Sequence, residues 1–143
     1  MVILKKENIQ LQKAVASSEE AINAAGELLV QEGYVKGNYI EKMHAREEIT
    51  STYMGNLLAI PHGTEDSRTE VYESGLSVLL LEEEIDWGGN PVQLVIGIAG
   101  KDGEHLDILS KIAIACSEEE NVRNLLQSES AEEVLDFFSG VNE

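Results

Sequence analysis

Apolar residues recur at helical spacing in the first quarter of the chain and crowd into short continuous runs in its middle. In VASSEEAINAAGELLVQEG, residues Ala21, Ala25, Leu28 and Leu29 fall on one face of a 3.6-residue repeat. Ser17 stands three residues before Glu20 in capping-box spacing, and Gly33 closes the run. The spacing predicts a helix over 18–32. GNYIEKMHAREEI continues as a second helix whose apolar side is Tyr39, Ile40 and Met43. Three runs rich in Val, Ile and Leu follow, each bounded by Gly, Pro or Asn: LLAI at 57–60, GLSVLLL at 75–81 and VQLVIGIA at 92–99. They read as strands, and NIQL near the start reads as a possible first strand.

The last third returns to helical patterning. EHLDILSKIAIACSE puts Leu109, Ile112 and Cys116 on one stripe, and Ser117 to Glu120 and Ser130 to Glu133 have capping-box spacing ahead of NVRNLLQ and VLDFF. Because the strand runs are continuously apolar instead of alternating, the sheet they form should be covered on both faces. The expected fold is α/β: a single three-layer α/β/α domain over residues 1–143 with the order β-α-α-β-β-β-α-α-α. TEDSRTEVYES, residues 64–74, reads as a long surface connection and not as a domain boundary.

One strand run ends abruptly, in NLLAIPHGT. Pro61 has no N–H to give to a central ladder and Gly63 permits backbone shapes closed to other residues, so the strand should stop near Ile60. That places His62 at the C-terminal edge of a sheet, where α/β proteins keep their ligands; a turn histidine without a function fits the same position. His105 falls on the stripe of Leu109, Ile112 and Cys116, in the first turn of its helix, so it should face inward beside free N–H groups that favour anions. A core histidine satisfied by a carbonyl fits there equally. Two inward histidines, each just past a strand end, could share one pocket.

Charge narrows the partners. Ten Lys and Arg stand against 27 Asp and Glu, a formal net charge of −17, which repels nucleic-acid phosphates and anionic membranes and favours a partner with a basic face. MVILKKENIQ lacks the apolar stretch of a signal peptide and LVIGIA is far shorter than a membrane span, so a cytoplasmic protein without membrane insertion is expected. Cys116 is the sole cysteine, which excludes an internal disulfide. GIAGKDG has neither Walker A nor dinucleotide spacing, no HExxH occurs, and a nucleophile elbow is absent. His44, His62 and His105 show no metal-ligand spacing. His44 is expected at the surface, and Asn56 is a candidate for orienting a ring or a backbone group.

STYMGNLLAIPHGT together with GIAGKDGEHLDILSKIAIACSEEENV resembles the enzyme IIA component of the bacterial phosphoenolpyruvate-dependent sugar phosphotransferase system, in the mannitol/fructose class and nearest the mannitol type. ENI near the start and EEAI..AGELLV..GYV extend the likeness over nearly the whole chain. The resemblance implies a mixed sheet between helix layers and a phosphotransferase that works without nucleotide, metal or other cofactor. It implies that His62 accepts a phosphoryl group from the carrier protein HPr as a tele-phosphohistidine and passes it to a cysteine of the IIB domain of a mannitol permease. It further implies that His105 and Arg46 stabilise the phosphoryl group, with backbone N–H groups near Gly63 as further candidate donors. A fructose-type or nitrogen-regulatory IIA-like protein phosphorylated on the same histidine is the alternative.

Overall fold

The computed structural model describes residues 3–142, so Met1, Val2 and Glu143 of the expected 1–143 domain lie outside the described residues. Five strands form one mixed sheet: β1 (Ile9–Lys13), β2 (Tyr53–Gly55), β3 (Leu58–Ala59), β4 (Gly75–Trp87) and β5 (Asn90–Ala99), in the spatial order β1-β4-β5-β3-β2. β1 runs parallel to β4 (Ile9 opposite Val78) and β3 parallel to β5 (Leu58 opposite Leu94), while β4 with β5 and β2 with β3 are antiparallel. The helices are α1 (Ser18–Gln31), α2 (Tyr39–Ile49), α3 (His105–Ala115), α4 (Glu119–Leu125) and α5 (Ala131–Phe137).

The continuous apolar runs do what double coverage requires. Leu76, Val78 and Leu80 of β4 and Leu94, Ile96 and Ile98 of β5 join one core with Ile108, Ile112, Val122 and Val134 of α3 to α5. Their alternates Leu79, Leu81, Val95 and Ala99 join a second core with Ala21, Ala25, Leu29 and Met43 of α1 and α2. Each fully buried Leu or Ile contributes about 1.5–3 kcal/mol, so burial on both faces of the sheet stabilises the fold. The order read from the pattern is present with one strand added, β2. The strand expected at 75–81 continues to Trp87 and turns through Gly88 and Gly89, both at positive φ, into β5 with Trp87 opposite Asn90. That is the two-residue hairpin geometry glycines favour. Residues Glu65–Glu70 of the expected surface connection form a 3-10 turn.

Two local expectations change. The Ser17 and Ser130 caps form, each side chain accepting from the N–H three residues on, at Glu20 and Glu133. Ser117 does not cap α4; Glu118 occupies that position in extended conformation without a side-chain cap. On α3 the buried line is Ile108, Ile112 and Cys116, with Leu109 only partly buried. The expected stripe holds at Ile112 and Cys116 and gains Ile108, while His105 is half-buried.

Candidate functional site

The chain leaves β3 without leaving the sheet. Past Ala59 it continues beside β5, the Pro61 carbonyl accepting from Ile98 N–H at 3.0 Å and His62 forming an isolated parallel bridge with Ile98. Pro61 needs no N–H there. His62 therefore stands at the C-terminal edge of the sheet, half-buried, with its Nδ1 2.8 Å from the carbonyl oxygen of Ile60. A carbonyl only accepts, so Nδ1 carries the proton and Nε2 keeps a free lone pair. Burial is the main cause that lowers the pKa of His62, opposed by the Ile60 hydrogen bond and reinforced by the nearby charges of Arg46 and His105. Burial thus favours the neutral ring, and the bond to Ile60 leaves Nε2 as the nitrogen with the lone pair.

α3 and α2 approach this ring from opposite layers. His105 opens α3, and its ring lies nearly parallel to that of His62, 6.5 Å between centroids and 29° between planes. The approach of α3 depends on Gly100: a Cβ there would lie 2.4 Å from both the N and the Cβ of His105. Arg46 lies in the last turn of α2, where its Nη1 donates to the Thr50 carbonyl at 2.8 Å. The fold thus brings the two histidines together and sets the positive charge of Arg46 within electrostatic reach of His62. It leaves the other two candidates apart. His44 Nε2 bonds Asn23 Oδ1 on α1 at 2.7 Å, and Asn56 donates to the Cys116 carbonyl at the far end of α3. Cys116 itself is buried, which pushes its thiol up to about 12. Among the described residues no cluster of three or more His, Cys, Asp or Glu could hold a metal ion, and no helix is long and apolar enough to cross a membrane.

Two polar anchors on α2 were not legible as such. Tyr39, one of the apolar residues of the second predicted helix, also uses its hydroxyl: it accepts from Gly63 N–H at 2.9 Å and donates to the Ile98 carbonyl at 2.7 Å. Glu47, which follows Arg46 in what looks like a solvated REE run, receives three bonds, from Thr52 N–H, Thr52 Oγ1–H and Trp87 Nε1–H. Thr52 in turn accepts from Ile60 N–H at 3.1 Å. Both ends of α2 are therefore fastened to the peptide that carries His62.

Residues 2–141 match the family model described as phosphoenolpyruvate-dependent sugar phosphotransferase system, EIIA 2. The chain belongs to this enzyme IIA family. Among curated relatives, a mannitol-specific phosphotransferase enzyme IIA component of Halalkalibacterium halodurans is 60% identical over 141 residues, 99% of this chain and 97% of the relative. The protein of that name in Bacillus subtilis is 52% identical over 143 residues, covering 99% of this chain and all of the relative. Among solved structures, enzyme IIA of the mannitol system of Escherichia coli, studied in complex with phosphorylated enzyme IIB, superposes with a TM-score of 0.90 at 36% identity, covering 96% of this chain and 97% of that one. The mixed α/β architecture of this IIA chain is thus that of its family.

Proposed function

We propose that residues 1–143 act as the cytoplasmic phosphocarrier of a mannitol phosphotransferase system. His62 takes a phosphoryl group from the phosphohistidine of HPr and gives it to a cysteine of the cognate IIB domain. The single observation that carries this reading is the fixed tautomer of His62: Nδ1–H on the Ile60 carbonyl, Nε2 open at the sheet edge. The family and its mannitol-specific relatives supply the partners, and the complex of the Escherichia coli relative with enzyme IIB supports the second transfer.

In the first step the Nε2 lone pair of His62 attacks phosphorus, the P–N bond to the donor imidazole breaks, and the donor ring leaves with the bonding pair. Nδ1 keeps its proton throughout, on Ile60 O. In the second step a IIB thiolate attacks the same phosphorus and His62 departs as the neutral tautomer it began as. Both transition states are loose, with charge spread over the phosphoryl oxygens, so the protein's share is positioning and charge stabilisation. Arg46 and His105 serve that purpose. Leu106, next to His105, and Ile49, three residues past Arg46, are large exposed apolar side chains suited to the rim of a docking surface. Cys116 takes no part, since its buried thiol stays protonated.

Incubation with phosphoenolpyruvate, enzyme I and HPr should add one phosphoryl group, labile in acid and stable in base, to His62. His62→Ala should abolish labelling while His44→Ala leaves it unchanged. A folded His62→Ala protein that still accepts phosphate from HPr refutes the assignment.

A further inference from the structure

We infer that Tyr39 is a positioning residue for phosphoryl transfer, holding the Pro61–Gly63 peptide to β5 and keeping the Gly63 N–H away from the phosphoryl group. The inference rests on His62 being the phosphoryl acceptor. Three observations converge on Tyr39. Its hydroxyl ties the residue after His62 to the residue that bridges His62, accepting from Gly63 N–H and donating to Ile98 O. Its ring packs so closely that a Cβ on Gly63 would lie 2.6 Å from Tyr39 Cε1, besides 2.5 Å from Ser67 Oγ, so glycine seats there without displacing either. The hydroxyl is buried with the rest of the side chain, and burial holds it protonated, so the two bonds persist across the working pH range.

The consequence for chemistry is specific. A helix start or a tight loop ordinarily offers its backbone N–H groups to an anion, and the Gly63 amide stands next to the reacting ring. Here that amide is already satisfied by a neutral hydroxyl. The peptide is fixed from both sides, by Tyr39 at Gly63 and by Thr52 at Ile60, and this holds the Ile60 carbonyl in reach of His62 Nδ1, the bond that sets the ring's direction and tautomer. Positioning of this kind acts on the rate of transfer once the partner is docked, not on docking.

The test is Tyr39→Phe, which keeps the ring against Gly63 and removes only the oxygen. Single-turnover transfer from phospho-HPr should slow by roughly 10-fold or more at unchanged KM, and 15N NMR of His62 should change from one tautomer to a mixture. Ser77→Ala removes another buried hydroxyl that bonds a backbone carbonyl, that of Ala25; it should lower stability and leave rate and tautomer alone. Folded Tyr39→Phe protein with wild-type rate and a single His62 tautomer overturns the inference. A measurement on the wild type decides the matter should the variant fail to fold: on phosphorylation the Gly63 amide proton should keep its resonance position, whereas a large downfield shift would show it bonding the phosphoryl group and overturn the inference. Absence of any labelling of the wild type on His62 overturns the reading beneath it instead.

Discussion

Replacing Gly100 by alanine isolates how far the rate depends on where α3 begins. The added Cβ meets the N and Cβ of His105 at 2.4 Å and its Cα at 2.6 Å. Two of these three atoms are backbone, so a rotamer change gives no relief. To reach ordinary contact at 3.4 Å the start of α3 must retreat by about 1 Å, and His105 must go with it. Overpacking of this kind costs about 1–3 kcal/mol, which leaves an ordinary domain folded. The displacement matters more to chemistry, because a misplacement of about 1 Å in a supporting group can slow a reaction by about 10²-fold. His105→Ala sets the ceiling at the roughly 10²- to 10³-fold typical of a lost donor to a developing negative charge. The assay is quenched-flow transfer from labelled phospho-HPr, with circular dichroism to establish folding. Gly140→Ala, where nothing lies within 4 Å of the added carbon, is the control. A folded Gly100→Ala protein that transfers at the wild-type rate refutes the premise that the placement of His105 governs the reaction.

Three further outcomes follow from the structure. Because burial lowers the pKa of His62, the phosphorylation rate should hold as pH falls through 6.5, the ordinary histidine value, and drop only further into acid. The unfolded chain binds that proton first, so His62 adds to the loss of stability between pH 6.5 and its lowered folded value and contributes nothing above 6.5. Denaturation midpoints of wild type and His62→Gln should diverge in slope only in that acidic window; parallel curves there refute the burial argument. Leu106→Glu should raise the KM for phospho-HPr while leaving the maximal single-turnover rate within about 2-fold, as loss of docking without loss of transition-state contact requires; an unchanged KM removes Leu106 from the docking rim.

What the sequence made legible was periodicity on long elements. α1, with Ala21, Ala25, Leu28 and Leu29 inward and the Ser17 cap in place, follows directly from its pattern. β2 was invisible because its three residues, Tyr53–Gly55, are too few to display a period and only partly covered. The second half of β4 was hidden by Glu82, Glu83 and Glu84, which stand exposed where the strand is no longer buried on both sides. The burial of Ile108 ahead of Leu109 escaped because the two are equally apolar, and packing rather than composition chooses between them. His62 was marked by the breakers around it, and His105 by its place in a first turn. Their separation of 6.5 Å is a property of the sheet that carries one and the helix that carries the other, and no spacing in the chain encodes it. Tyr39 and Glu47 were hidden for a different reason: each looks ordinary for its helix position, and only the partners across the fold reveal what their oxygens hold.

The site draws on both layers of the molecule, Tyr39 and Arg46 from α2 on one face of the sheet and His105 from α3 on the other. During synthesis the ribosome releases the sheet and the α2 layer, through Ala99, before His105 emerges. A nascent chain at that stage has the proposed acceptor ring of His62 and one half of its surroundings, without the second histidine. On the proposed function, competence to carry phosphate is in this sense a late event in the life of the polypeptide, arriving only when the last third of the chain has closed over the second face. A folding defect confined to α3 to α5 would leave the sheet face of Leu76, Val78, Leu94 and Ile96 uncovered and the proposed relay without His105.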